Sequence, residues 1–147
     1  MISMIMTELV APTEHIKPTI LIVEDDSYIV TYLNAKLEKR YNTIVAPDAK
    51  TARKALAEKQ PDLILLDIIM PEEDGFSLLE EIKSHKSPYK DIPVIVLTNL
   101  SQHEDMKRSY KLGAAEFLVK ANYTLDEIAA RIDKVLNRPV ARSADNA

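Results

Sequence analysis

The chain has 147 residues, 19 of them Lys or Arg and 23 Asp or Glu, for a formal net charge of −4. That length suits one domain of roughly 100–150 residues with short tails, and the acidic balance argues against nucleic acid as a partner, because binding to phosphates draws on clustered Lys and Arg. With no cysteine, disulfides, thiolate metal sites and cysteine nucleophiles are excluded, and a reducing, cytoplasmic location is expected.

Residues 1–17 read as an N-terminal extension. The apolar start Met1-Ile2-Ser3-Met4-Ile5-Met6 has no basic segment before it and runs into Thr7-Glu8, unlike a signal peptide. Residues 18–137 read as the folded domain and 138–147 as a small, polar C-terminal tail. Apolar runs such as Leu63 to Leu66 are broken by acids, well short of the roughly 20 residues a membrane span needs.

Within the domain two hydrophobic patterns alternate. Thr19-Ile20-Leu21-Ile22-Val23 predicts a strand, followed by a helix with Val30, Leu33 and Leu37 at spacings of three and four. Thr43-Ile44-Val45-Ala46 predicts a second strand, then a helix with Ala52, Ala55 and Leu56 and with Asp48 placed to cap it. Leu63-Ile64-Leu65-Leu66 precedes a helix bearing Phe76, Leu79 and Ile82 after Gly75. Val94-Ile95-Val96-Leu97 precedes a helix marked by His103, Met106 and Tyr110. Glu116-Phe117-Leu118-Val119 precedes the last, with Leu125, Ile128, Ile132 and Val135, and Thr124-Leu125-Asp126-Glu127 reads as its capping box. Nearly continuous apolar strands are those covered on both faces. Strict alternation with helices predicts an α/β fold, an open parallel sheet with helices on both sides and right-handed crossovers.

In such sheets functional groups gather beyond the carboxyl ends of the strands. Those ends carry Glu24-Asp25-Asp26, Asp67, Thr98 and Lys120. Carboxylates at close range raise one another's pKa or recruit a cation, and an all-oxygen donor set favours a hard ion such as Mg2+. Such an ion beside Asp67 would suit phosphoryl transfer, with an Asp67 oxygen attacking phosphorus in line, Lys120 pairing with one phosphoryl oxygen and the Thr98 hydroxyl donating to another.

Four segments carry a resemblance: Ile20-Leu21-Ile22-Val23-Glu24-Asp25-Asp26; Asp62-Leu63-Ile64-Leu65-Leu66-Asp67-Ile68-Ile69-Met70-Pro71 with Gly75; Pro93-Val94-Ile95-Val96-Leu97-Thr98; and Gly113-Ala114-Ala115-Glu116-Phe117-Leu118-Val119-Lys120. In this order and spacing they resemble the receiver domain of two-component response regulators, over about residues 18–137. The resemblance implies a flavodoxin-like (βα)5 fold with five helices and strand order 2-1-3-4-5. It implies that Asp67 accepts a phosphoryl group from a sensor histidine kinase or a histidine phosphotransfer protein. Mg2+ would be bound by Asp25 directly, by Glu24 through water, by Asp67 and by the Ile69 carbonyl. Thr98 and Lys120 would grip the phosphoryl group, and Phe117 would be the aromatic switch that turns inward as Thr98 moves. The chain would then signal as a stand-alone receiver through a downstream protein target, with neither nucleic-acid contact nor membrane insertion.

Three departures from the family pattern bear on the site. A third acid follows strand one, and Asp26 reads as the N-cap of the next helix, with Asp25 plus Asp26 as the rival metal pair. Asn99 follows Thr98 where the family has a small residue, and Ala121 follows Lys120 where the family has proline. A cis bond before a non-proline costs roughly 2.5–4 kcal/mol, so a trans Lys120–Ala121 bond is expected.

Two other functions compete: a Mg2+-dependent phosphatase with an aspartate nucleophile, and a receiver-like module that binds partners without phosphorylation. The phosphatase would carry a second Asp two positions after the first, where Ile69 stands. Phe117 reads equally as core, and Thr98 could also cap a helix. His15, His85 and His103 lack ligand spacing and read as surface residues. Lys107, Arg108 and Lys111 form a basic strip, read either as a solvated face or as part of a partner surface between the fourth and fifth helices.

Overall fold

A computed structural model of the chain describes residues 16–137. The N-terminal extension, apart from its last two residues, and the C-terminal tail lie outside them, as does His15. Among the described residues five strands and five α-helices alternate: β1 (Thr19–Val23), α1 (Ser27–Leu37), β2 (Asn42–Ala46), α2 (Ala49–Glu58), β3 (Leu63–Leu66), α3 (Gly75–Lys83), β4 (Val94–Thr98), α4 (His103–Lys111), β5 (Glu116–Val119) and α5 (Leu125–Leu136). The sheet is parallel throughout, in the expected order β2-β1-β3-β4-β5.

Side-chain alternation along the strands divides the core in two. Leu21, Val23, Ile64, Leu66, Val94, Val96 and Phe117 face one side and pack with Ala52 and Leu56 of α2 and with Phe76, Leu79 and Ile82 of α3. Ile20, Ile22, Leu63, Leu65, Ile95, Leu97 and Leu118 face the other, against Leu33 and Leu37 of α1 and Ile128, Ile132 and Val135 of α5. Each such Leu or Ile contributes roughly 1.5–3 kcal/mol on full burial. Both faces are covered, which is why the three central strands read as unbroken apolar runs. The edge strand β2 is only partly buried at Thr43, Ile44 and Val45.

The helix starts follow the expected chemistry. The Asp26 side chain accepts from the Tyr28 and Ile29 amides, Asp48 accepts from Thr51, and Thr124 with Glu127 forms the full capping box. Helix α4 departs from expectation. Its inner face is Met106, Ser109 and Leu112, with Ser109 fully buried, while His103 is exposed and Tyr110 is 46% exposed. The small Ser109, whose hydroxyl donates to the Asp105 carbonyl at 2.9 Å, lets the helix lie close to the sheet. Tyr110 instead reaches sideways, and its hydroxyl accepts from the Phe117 amide at 3.1 Å.

Candidate functional site

The topology places the ends of β1, β3 and β4 side by side, because β1 pairs with β3 and β3 with β4. Val23 is level with Leu66, so Glu24 and Asp67, the next residue on each strand, emerge together. The Asp67 amide donates to the Val23 carbonyl at 3.0 Å and fixes that pairing. Carboxylate oxygens of Glu24, Asp25 and Asp67 all lie within 4.8 Å of one another. Glu24 and Asp67 are buried and Asp25 is exposed, so the cluster has two anchored acids and one at the mouth.

Lys120 closes the group from β5. Strand five stops at Val119, and Lys120 opens a single 3-10 turn, Lys120–Asn122, rather than ending the strand. Its ammonium donates to Glu24 Oε1 at 2.6 Å and to Asp67 Oδ2 at 2.8 Å. Burial works against the charged ammonium, but the hydrogen bonds to Asp67 and Glu24 outweigh it and raise the Lys120 pKa above its ordinary value. Burial also raises the Glu24 pKa, and the bonds from Lys120 and from the Asp26 amide offset this only in part. Three carboxylates against one ammonium leave a formal charge of −2 at the mouth of the sheet. Oxygen-only donors with that residual charge fit a hard divalent cation.

Asp26 takes no part in this cluster. Its carboxylate is spent on the α1 N-terminus, and its own amide donates to Glu24 Oε2 at 3.1 Å. The acid trio therefore divides as Glu24 and Asp25 toward the site and Asp26 toward the helix, which disfavours the rival Asp25–Asp26 pair. The Ile69 amide donates to Asp67 Oδ1 at 3.0 Å, while its side chain is 51% exposed at the rim.

Thr98 ends β4 and is fully buried. It lies two residues beyond Val96, the partner of Leu66, so it sits one step past the level of Asp67. Its hydroxyl accepts from the Leu100 amide at 3.4 Å and does not cap α4, whose N-cap is Gln102. Among the described residues no hydrogen bond joins Thr98 to Asp67. Phe117 is buried, its ring part of the core formed with α2 and α3. Asn99 is exposed beside Thr98, and among the described residues there is no cis peptide, so the Lys120–Ala121 bond is trans as expected.

The remaining candidates fall outside the cluster. His85 and His103 are exposed, as anticipated. In the basic strip Lys107, Arg108 and Lys111 are all exposed, and the Arg108 guanidinium lies 4.2 Å from the centroid of the Phe76 ring. Arg108 therefore reaches α3, to which Phe76 belongs. Residues that no local pattern flagged are Arg53, Glu73 and Glu81. Arg53 on α2 bonds to Glu73 in the β3–α3 loop and to Glu81 on α3, pairs 20 and 28 residues apart in sequence.

This geometry has close counterparts. The family model of the response regulator receiver domain matches residues 20–133. The chain belongs to the response regulator receiver domains. The non-phosphorylated HemR receiver domain from Leptospira biflexa superposes with a TM-score of 0.77 at 32% identity, over 86% of this chain and 100% of that one. The Mn(2+)-bound form of response regulator Rcp1 superposes with a TM-score of 0.75 at 27% identity, over 86% of this chain and 99% of that one. Among curated relatives, the transcriptional regulatory protein RprY of Bacteroides fragilis is 32% identical over 83% of this chain and 50% of its own length. A probable transcriptional regulator ycf27 of Galdieria sulphuraria is 36% identical over 83% of this chain and 46% of its own. This receiver domain thus spans about half the length of the curated regulators it matches. Among its described residues no helix is long and apolar enough to cross a membrane.

Proposed function

We propose that this receiver domain accepts a phosphoryl group on Asp67 from the phosphohistidine of a sensor histidine kinase or histidine phosphotransfer protein, and that acceptance alters a surface read by a downstream protein. The observation that carries the reading is Lys120 bridging Glu24 and Asp67 beside a third carboxylate, Asp25. Glu24, Asp25, Asp67 and the Ile69 carbonyl would hold Mg2+. When bound, the ion supplies positive charge that offsets the phosphoryl oxygens during transfer.

The chain's own residues do the rest. The amide of Ile69 and the ammonium of Lys120 hold the two Asp67 oxygens in fixed directions, so the nucleophile is oriented before the donor arrives. An Asp67 oxygen forms the new bond to phosphorus as the bond to the donor imidazole nitrogen breaks, and the imidazole leaves with the electron pair. Lys120 then shifts to a phosphoryl oxygen, and Thr98, whose hydroxyl only accepts in its contact with the Leu100 amide, donates its proton to another. Thr98 is in register with Val119 of β5, so its movement would be passed to the α4–β5 surface, where the Phe117 ring already lies turned into the core. The protein is a phosphoacceptor rather than an enzyme that turns over a separate substrate. The phosphatase reading lacks the second acid it needs, since exposed Ile69 occupies that place.

Incubation with Mg2+ and a small phosphodonor such as acetyl phosphate should give a phosphoprotein, and Asp67→Asn should remove the label. Labelling that survives Asp67→Asn would overturn the assignment. No labelling of the wild type by any donor would favour an interaction module that works without phosphate.

A further inference from the structure

The β3–α3 loop leaves Asp67 and is pinned at its base and at its tip. At the base the Gly75 amide donates to the Ile68 carbonyl at 3.0 Å. The bare Cα of Gly75 lies so close that a Cβ there would stand 2.5 Å from Ile68 Cα. At the tip Glu72 has a φ of 71°, the left-handed region, and the Glu73 amide donates to the Pro71 carbonyl at 2.8 Å. A non-glycine residue stays in that region only where its surroundings over-determine it. Met70 packs against the core earlier in the loop, and Glu73 ties the tip to α2 through Arg53.

Arg53 uses every face of its guanidinium. Nη1 donates to Glu73 Oε1 at 3.0 Å, and Nη2 donates to Glu73 Oε2. Nε donates to both Glu81 oxygens at 3.1 and 3.0 Å, and Nη2 also reaches Glu81 Oε1 at 2.9 Å. A planar fork held on two sides fixes direction as well as distance. The Glu81 contact alone would suffice to join α2 to α3. The Glu73 contact adds nothing to helix packing, because Glu73 precedes the α3 N-cap, Asp74. What it constrains is the backbone between Ile69 and Gly75.

We propose that Arg53, acting through Glu73, is a positioning residue for the phosphoacceptor site, holding the β3–α3 loop so that Ile69 is preset against Asp67 and the divalent cation. This inference rests on the function proposed above. The amide of Ile69 already bonds Asp67, and its carbonyl is the backbone ligand the family implies. Release of the tip lets the loop relax from the Glu72 turn, and Ile69, three residues earlier, loses its fixed orientation. Oriented backbone ligands lose affinity when their supporting contacts go.

The test is Mg2+ titration by calorimetry, with urea unfolding and acetyl-phosphate labelling in parallel. Arg53→Met should weaken the Mg2+ Kd by about 10-fold, the low end for a lost supporting contact, and slow labelling at subsaturating Mg2+. Adding Glu73→Gln to Arg53→Met should cost no more than the worse single change, since both act on one contact. Simple electrostatics gives the opposite sign, because removing a cation near an anionic site tightens divalent binding. Arg40→Met removes the same charge at the amino end of β2 and should leave the Kd unchanged. Should Arg53→Met fail to fold, Arg53→Lys keeps the charge but cannot serve both carboxylates, and it should also bind Mg2+ more weakly. A Kd that tightens, or one that is unchanged while the urea midpoint falls, overturns the positioning role and leaves the proposed function standing. A wild-type protein that neither binds Mg2+ nor labels overturns both.

Discussion

Removing the ammonium at the centre of the cluster should destabilise the protein in a pH-dependent way. Lys120→Met keeps most of the side chain's bulk but leaves Glu24 and Asp67 facing each other, with oxygens within 4.8 Å. The side chains of Lys120, Glu24 and Asp67 are 11%, 4% and 6% exposed, so solvent screens them little. At an effective dielectric of ~20, two unit charges at that distance repel by about 3.5 kcal/mol. The variant can escape by protonating Glu24, whose pKa burial already raises. At pH 7 that escape costs at most about 1.36 kcal/mol for each unit between the pKa and the solution pH. The expected loss at pH 7 without divalent ions is therefore about 2–4 kcal/mol, in line with breaking a buried pair. The sign follows from the direction of the shift. An acid whose folded pKa lies above its unfolded value favours folding below that unfolded value, and the benefit is lost as pH rises through the folded one. In the variant the Glu24 pKa climbs further, so the deficit should be small at pH 4.5 and grow toward pH 7. Urea unfolding followed by circular dichroism in chelator at both pH values reads this directly. Mg2+ should recover part of the loss by replacing the missing positive charge. An equal deficit at both pH values would mean that only packing was lost, and no deficit at pH 7 would refute the electrostatic account.

Other consequences are more local. Gly75→Ala puts a methyl group 2.5 Å from Ile68 backbone atoms. Overpacking against atoms that cannot rotate away should cost about 1–3 kcal/mol in urea unfolding and slow labelling of Asp67, whereas wild-type behaviour would mean that the loop yields. Ile69 and Leu100 stand two residues after Asp67 and Thr98, and neither side chain can orient an attacking water. The acyl phosphate should therefore persist for many minutes, and a half-life of seconds in a decay assay would contradict this. Asp48 accepts from the Thr51 amide, which holds its carboxyl below the usual value of 3.8. Its contribution is present above that pH and is lost as pH falls through the depressed value, so the stability gap between wild type and Asp48→Ala should narrow as pH falls below 3.8.

Continuous apolar runs revealed the sheet because both of its faces are covered, and a strand order followed from the family resemblance. The site was legible for a related reason. In a parallel sheet the chain leaves every strand at the same end, so acids, threonine and lysine directly after apolar runs had to converge. Position favours Asp26 as the helix cap but leaves Asp25 plus Asp26 open as a metal pair, and its bonds to Tyr28 and Ile29 decide for the cap. Helix α4 forms where the pattern places it, but its inner face holds a buried serine in place of Tyr110, whose hydroxyl serves an amide of β5. Thr98 looked like a cap because helix α4 follows it closely, yet the helix begins only after Gln102. The Arg53–Glu73–Glu81 ion pairs left no trace in local periodicity. They join segments brought together by the βα crossover, and charged residues on helices are ordinarily solvated.

The most direct measurement is chemical trapping of the acceptor. Borohydride reduction of the phosphoprotein converts an aspartyl phosphate to homoserine, and peptide mass spectrometry locates the altered residue. Homoserine should occur at position 67 and depend on Mg2+ and on Lys120. Homoserine elsewhere, or a stable label that resists reduction, would contradict the account.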